Sequence, residues 1–182
     1  IRQQHFNKKH PELAESINNL ANILLLQGHL NEAEEMFKQA LHIREQSLGR
    51  FHPKVSASLV NLAALYREKG QTGSIEALLL RSLKIDKKSL GKEHPEVAND
   101  LNHLGIYYKD NEEYKKAEEC YLESLRIKKA TLGEQHLKVA VTMNNLALLY
   151  SSIGEFAKAS SFFEDALIIL EKALGESHRM LI

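Results

Sequence analysis

The chain has 182 residues, of which 43% are hydrophobic, and its 24 basic residues balance its 24 acidic residues. This apolar content can form a continuous core, while zero net charge argues against nucleic acid or an anionic membrane as the main partner. No apolar run approaches the roughly 20 residues that a transmembrane helix needs. The single cysteine, Cys120, excludes an internal disulfide, agrees with a reducing cytoplasmic compartment and is expected to fill a small space in the core.

A period of 42 residues runs through the whole sequence. His-Pro occurs at His10, His52 and His94, and His136 and His178 continue the same spacing without the proline. Leu-Gly stands four residues before each of the last four histidines, at 48–49, 90–91, 132–133 and 174–175. An uninterrupted period of this length predicts an array of one small structural unit.

The period divides the chain into four complete repeats and two partial ones. The complete repeats are expected at 10–51, 52–93, 94–135 and 136–177. Residues 1–9 are expected to be the tail of a preceding repeat, and 178–182 the start of a further one. The sequence is therefore expected to be a window of a longer array.

The first repeat predicts two helices joined by a short turn. Apolar residues at helical spacing predict an amphipathic helix near 11–27, with His10 as its N-cap and Pro11 in its first turn. Gly28 is expected to end it, and a second apolar series predicts a helix near 31–47 that ends at Gly49. Because no segment has the alternating pattern of a strand, each repeat is predicted to be a helical hairpin.

The second repeat is irregular at its turn. Thr72 stands where the other repeats have leucine or an aromatic residue, and Ile75 stands where they have alanine. Gly73 near the start of the second helix lowers local helix stability by up to about 1 kcal/mol. A looser or shifted turn is therefore predicted here.

Side-chain sizes recur at matching positions of the four repeats. The first helices carry leucine, then a small residue, then mostly tyrosine, at Leu20, Ala21 and Leu24; Leu62, Ala63 and Tyr66; Leu104, Gly105 and Tyr108; Leu146, Ala147 and Tyr150. The segments Met143–Tyr150 (MNNLALLY) and Leu41–Pro53 (LHIREQSLGRFHP) resemble the 42-residue tetratricopeptide repeat of the kinesin light chain family. The resemblance covers essentially the whole chain. It implies an all-α, right-handed superhelical solenoid of helix-turn-helix repeats, whose first helices line a concave groove.

Two neighbouring columns of polar residues lie on the predicted inner face. They are Asn19, Asn61, His103 and Asn145, and beside them Asn18, Val60, Asn102 and Asn144. Such columns suit an extended ligand backbone, because each amide both donates and accepts hydrogen bonds. The family resemblance implies that Asn19, Asn61 and Asn145 hold the main chain of a bound peptide, with His103 interrupting the column. The alternative is that the amides bond to neighbouring helices and fix the stacking.

Basic residues form a second pattern. The resemblance implies that Arg44, Arg67 and Lys109, with Lys128 behind them, contact acidic positions of a bound peptide. The alternative is that they are solvated surface charges, as most lysines and arginines are. A third inner column is partly apolar and consists of Asn22, Ala64, Ile106 and Leu148. The expected ligand is therefore an acidic peptide that also carries an apolar or aromatic residue.

The sequence predicts no catalytic site, metal site or cofactor, and so no enzyme. Histidines that recur once per repeat lie two packed helices apart, too far to share a metal at roughly 2 Å. The other histidines and Cys120 lack metal-ligand or catalytic spacing, and a glycine-rich phosphate loop is absent.

Two other binding functions stay open. The array could be a structural spacer in a larger protein, self-associating end to end through apolar surface near Phe162, Ile168 and Ile169. It could also be a co-chaperone type of tetratricopeptide domain that clamps a C-terminal carboxylate. The 42-residue period argues against this second alternative, because that class has 34-residue units.

Overall fold

The computed structural model describes residues 11–179 as eight α-helices and a short 3-10 turn, with no strand in that range. The helices are α1 (Pro11–Leu26), α2 (Leu30–Leu48), α3 (Pro53–Glu68), α4 (Ile75–Ser89), α5 (Pro95–Asp110), α6 (Tyr114–Leu132), α7 (Leu137–Ser152) and α8 (Phe156–Arg179). They pair as four successive hairpins, which confirms the predicted all-α repeat architecture. The predicted tail at 1–9 and the predicted cap at His10 lie outside the described residues.

The chain forms two compact units, Ile1–Lys92 with α1–α4 and Glu93–Ile182 with α5–α8. Within each unit, every helix packs against the next one along the chain. The small and large positions of the repeat meet in the cores. Ala21, Ala33 and Phe37 pack together in the first unit, and Tyr121 and Leu146 are fully buried in the second. Cys120 is only half-buried.

Histidines of the repeat cap three first helices. At the starts of α3, α5 and α7, the backbone of His52, His94 and His136 is extended, and each Nδ1 accepts a hydrogen bond from the backbone N–H two residues on. The donor–acceptor distances are 3.0–3.1 Å. A side chain that accepts from the first turn satisfies a donor that the helix itself cannot. The structure therefore confirms a capping role for these three residues.

Glycine ends α2 and α6 as predicted. Gly49 and Gly133 have φ of 88° and 87°, in the left-handed region where a Cβ would be strained. The fourth repeat differs, because α8 continues through Gly175 to Arg179. His178 therefore lies inside a helix, and the start of a further repeat at 178–182 stays a prediction, since 180–182 lie outside the described residues. Glycine permits a helix stop without requiring one.

The irregular turn of the second repeat is confirmed. A 3-10 turn occupies Thr72–Ser74, and α4 begins three residues later than the matching positions of α2, α6 and α8. Ile75 is buried at the position that alanine occupies in the other second helices, while Thr72 is exposed. The apolar anchor of this hairpin has therefore moved one turn into the helix.

Glu112 adopts a left-handed backbone conformation, with φ of 61°, at a turn where the other repeats have Gly28, Gly70 and Gly154. This conformation costs a residue with a side chain about 1–2 kcal/mol, which glycine avoids at some cost in chain entropy. We therefore expect Glu112→Gly to raise the free energy of unfolding in urea by roughly 0.5–1 kcal/mol. The control, Gly154→Glu, is expected to lower it. Equal stability of Glu112→Gly and the wild type would contradict this expectation.

Candidate peptide-binding surface

Paired asparagine side chains join the first helices of successive repeats. In the first unit, Asn61 Nδ2 of α3 donates to Asn18 Oδ1 of α1 at 2.8 Å. The second unit repeats the contact, with Asn145 Nδ2 of α7 donating to Asn102 Oδ1 of α5 at 2.9 Å. The two acceptors are buried and the two donors are half-buried. In each unit, this hydrogen bond therefore fixes how the two first helices stack.

The half-buried asparagines keep part of their hydrogen-bonding capacity for a ligand. A primary amide has two N–H donors and two lone pairs, and the contact between the helices uses one N–H of Asn61 and one of Asn145. Asn19 is exposed and His103 is half-buried. Asn102 is too buried to meet a ligand directly, so its part is to hold the amide of Asn145 in place.

The two units differ in the apolar surface beside these amides. Val141 and Leu148 of α7 are exposed at four residues before and three residues after Asn145, so they share one helix face with it. The matching positions of α3 are Ala57 and Ala64, which offer little apolar area. The second unit can therefore hold an apolar side chain of a ligand. The sequence reasoning included the column of Leu148 and missed Val141, although the repeat period identifies both.

Two of the predicted basic residues are accessible on first helices. Arg67 is exposed near the end of α3. Lys109, near the end of α5, is partly exposed and forms an ion pair with Asp110 at 3.4 Å. An exposed arginine can bind a carboxylate through two parallel hydrogen bonds, a geometry that a lysine ammonium does not offer. Arg67 is therefore the stronger candidate for contact with an acidic ligand.

Arg44 and Lys128 have a different role from the one predicted. Only 5% of Arg44 and 3% of Lys128 are exposed, which does not fit recognition of a ligand from solution. Arg44 Nη1 donates to Ser58 Oγ at 2.7 Å and to the carbonyl oxygen of Lys54 at 3.2 Å. Lys128 Nζ donates to Thr142 Oγ1 at 2.8 Å. Both side chains therefore join a second helix to the first helix of the next repeat.

Burial lowers the pKa of both cations, because their charged forms lose hydration. The pKa of Lys128 falls to about 8, with a smaller contribution from the nearby charge of Lys138. Neither residue is part of the surface that we consider for peptide binding.

A tyrosine–glutamate contact also recurs in both units. Tyr66 OH of α3 donates to Glu34 Oε1 at 3.2 Å, and Tyr150 OH of α7 donates to Glu118 Oε1 at 2.5 Å. Burial raises the pKa of both tyrosines, and the neighbouring glutamates raise it further. These contacts hold α3 and α7 against the preceding second helices. The sequence signal was present, since both partners recur 84 residues apart.

The apolar residues predicted at the end of the array are only partly exposed. Ile168 of α8 has 60% of its surface exposed, but Ile169 is buried. Phe162 is half-buried and its ring stacks on that of Tyr150, with centroids 5.6 Å apart. Phe163 and Leu167 are exposed instead. Among residues 11–179, no helix has both the length and the apolar character that crossing a bilayer requires.

Comparisons with known proteins agree with this architecture. The chain is similar to BtubC (BKLC) from P. vanneervenii, with a TM-score of 0.82 and 23% identity over 94% of this chain and 69% of that one. It is also similar to TPR-like repeats described as those of a kinesin light chain from Podosopora anserina. There the TM-score is 0.73 and the identity 27%, over 93% of this chain and 81% of that one. Among curated proteins, none matches.

The tetratricopeptide repeat family model matches residues 1–46, 12–88, 54–130 and 102–172. Repeats of this family are generally scaffolds for protein–protein interaction and are typically not enzymatic. The matches extend over most of the sequence, and the solved repeats share its fold. The chain therefore belongs to the tetratricopeptide repeat family, in its kinesin light chain-like form.

Proposed function

We propose that this chain is a scaffold segment of a cytoplasmic protein and that its first helices bind an extended peptide of a cargo or client protein. The observation that carries the proposal is the pair of anchored asparagines. Asn61 and Asn145 are each fixed by a buried amide and stay half-open to solvent. A donor held in place before binding loses little conformational entropy when it meets a peptide carbonyl.

The ligand we propose combines acidic and apolar residues. Arg67 is exposed on α3, while α7 exposes Val141 and Leu148. Charge supports the same division, because residues 1–92 carry 14 basic and 9 acidic residues, and 93–182 carry 10 basic and 15 acidic. Complementary charge speeds association and sets orientation. The first unit is therefore proposed to bind acidic residues of a ligand, and the second unit apolar residues.

The likeness to kinesin light chain repeats supports an adaptor role of this kind. A repeat surface that binds a short peptide can connect the protein that carries it to several clients. End-to-end self-association is the second candidate, which the exposed Phe163, Leu167 and Ile168 of α8 favour. Light scattering over a concentration series distinguishes a monomeric peptide binder from an assembling protein.

Substitutions on the first helices test the peptide-binding proposal. We expect Asn19→Ala and Asn61→Ala each to weaken binding of a short fluorescein-labelled peptide, made of aspartate, glutamate and one tryptophan, by up to about tenfold. Arg67→Glu is expected to weaken it further, because the charge is reversed. Fluorescence anisotropy gives the affinities.

Two controls separate binding from stacking. Asn19 is exposed, so its loss leaves the bond between Asn18 and Asn61 intact. Gln46→Ala removes an exposed amide from α2, outside the first helices, and is expected to leave the affinity unchanged. If Asn19→Ala, Asn61→Ala and Arg67→Glu all bind the peptide as the wild type does, the assignment of this surface is incorrect.

A further inference from the structure

A second surface with features of a binding site lies in the first unit, away from the first-helix amides. Glu45 at the end of α2, Arg50 and Phe51 in the loop that follows, and Arg81 of α4 line a cleft of about 410 Å³. Phe51 is 54% exposed, which is high for a large aromatic side chain in a short loop between helices. We name this surface the Phe51 cleft.

Positive charge surrounds the exposed ring. Lys88 Nζ lies over the ring of Phe51, 4.5 Å from its centroid. Arg81, Lys84 and Lys88 follow one another at helical spacing, which places them along one face of α4. Arg81 is paired with Glu45, which is the acidic residue of the cleft lining. The cleft therefore joins an accessible aromatic surface to an excess of cations.

The second unit has a matching cleft of about 290 Å³, 84 residues along the sequence, with different chemistry. Charge is reversed at three positions and the aromatic residue is lost at the fourth. Glu45, Arg50, Phe51 and Arg81 correspond to Lys129, Glu134, Gln135 and Asp165. Both units form the same hairpins around these clefts. The fold therefore does not require Arg50, Phe51 and Arg81 in the first unit.

We propose that the Phe51 cleft is a docking surface for an acidic segment of a partner protein that carries an aliphatic or aromatic side chain. The apolar side chain packs on Phe51, and the carboxylates pair with Arg50 and Lys88. Guanidinium and ammonium groups around an aromatic ring complement such a segment in both charge and polarity. The excess of basic residues over 1–92 attracts it to this unit. This surface is separate from the first helices, so it serves a contact in addition to the proposed peptide binding.

Exchanging the cleft residues between the units tests this proposal. The probe is a short peptide of glutamate, aspartate and two leucines, compared by calorimetry with its glutamine and asparagine counterpart. The first-unit variant carries Glu45→Lys, Arg50→Glu, Phe51→Gln and Arg81→Asp, and is expected to bind the acidic peptide at least about tenfold more weakly. The variant and its reference chain both carry Asn61→Ala and Arg67→Glu, so that the first-helix surface does not contribute to the measured affinity. If the chain with the cleft exchange binds the acidic peptide as tightly as the reference chain, the cleft proposal is overturned, and the anisotropy measurements on the first-helix variants still decide the proposed function.

The reciprocal exchange gives a second measurement in which the Phe51 cleft stays intact. Lys129→Glu, Glu134→Arg, Gln135→Phe and Asp165→Arg give the second unit the chemistry of the Phe51 cleft. In the same Asn61→Ala, Arg67→Glu background, the expected result is two bound acidic peptides per chain in place of one. Circular dichroism shows whether the first-unit variant is folded. If that variant is unfolded, the reciprocal variant alone tests the proposal. A stoichiometry that stays at one then overturns the proposal.

Discussion

Replacing Gly105 with alanine is expected to lower the free energy of unfolding by about 2 kcal/mol. A Cβ at this position would lie 2.5, 2.6 and 2.9 Å from three ring atoms of Tyr121. Tyr121 is fully buried, so its ring cannot move aside into solvent. Overpacking typically costs about 1–3 kcal/mol, and three contacts this short place the cost near the upper end, about 2 kcal/mol more than the gain of about 1 kcal/mol from alanine in a helix. Urea unfolding followed by circular dichroism measures the change.

Shortening the facing side chain should reverse the sign of this effect. The second repeat has Ala63 and Leu79 at the matching positions, both buried. In a Tyr121→Leu background, we therefore expect Gly105→Ala to stabilise the protein by up to about 1 kcal/mol, as helix propensity alone predicts. The control Ala63→Gly is expected to destabilise it by a similar amount. An equal cost of Gly105→Ala in both backgrounds would show that the ring is not the cause.

The second large effect concerns the buried cation Lys128. We expect Lys128→Met to raise the free energy of unfolding at pH 7 by about 3 kcal/mol. Its pKa is about 8 in the folded protein, against roughly 10.4 when exposed, and each unit of difference corresponds to about 1.4 kcal/mol. Thr142 can lose this contact at little cost, because its hydroxyl also donates to the carbonyl oxygen of Lys138 at 3.1 Å.

The advantage of Lys128→Met should depend on pH. Below pH 8 the lysine is charged in both states, so the folded protein bears the full cost of a buried charge. Between about pH 8 and 10.4 the folded protein releases the proton while the unfolded chain keeps it, so the wild type gains stability and the difference shrinks. The control Arg44→Met should show a constant difference from pH 7 to 10, because arginine stays charged there. A difference for Lys128→Met that does not change with pH would contradict the assigned role.

The helical hairpins could be predicted because their boundaries depend on local chemistry. A histidine at the helix start, the following proline and a glycine at the helix end act within one turn. The same local rule fails at Gly175, where α8 continues. A glycine allows the left-handed conformation but does not impose it. The family resemblance could likewise be recognised from the sequence, because the sizes of the core residues recur in every repeat.

The side-chain contacts of the candidate site could be predicted only in part. The repeat period brought asparagines into two columns, but it did not show that Asn61 bonds to Asn18, 43 residues away. That contact depends on how far successive hairpins are offset, which is a property of their packing. The period also placed Arg44 and Lys128 at matching positions without showing on which side of the second helix they lie. Long cations are usually exposed, so their burial had no local signal.

The buried cations also limit how this array can grow or be recombined. The second helices α2 and α6 each bring a cation to a hydroxyl of the following first helix, Ser58 or Thr142. The matching residue of α8 is Leu170. If a hairpin were duplicated and inserted after α8, the hydroxyl of its first helix would therefore face the aliphatic side chain of Leu170. A hairpin with an apolar residue in place of that hydroxyl would pack better against Leu170. Successive hairpins are thus chemically matched. When repeats are recombined in a designed array, each second helix should be kept together with the first helix that follows it.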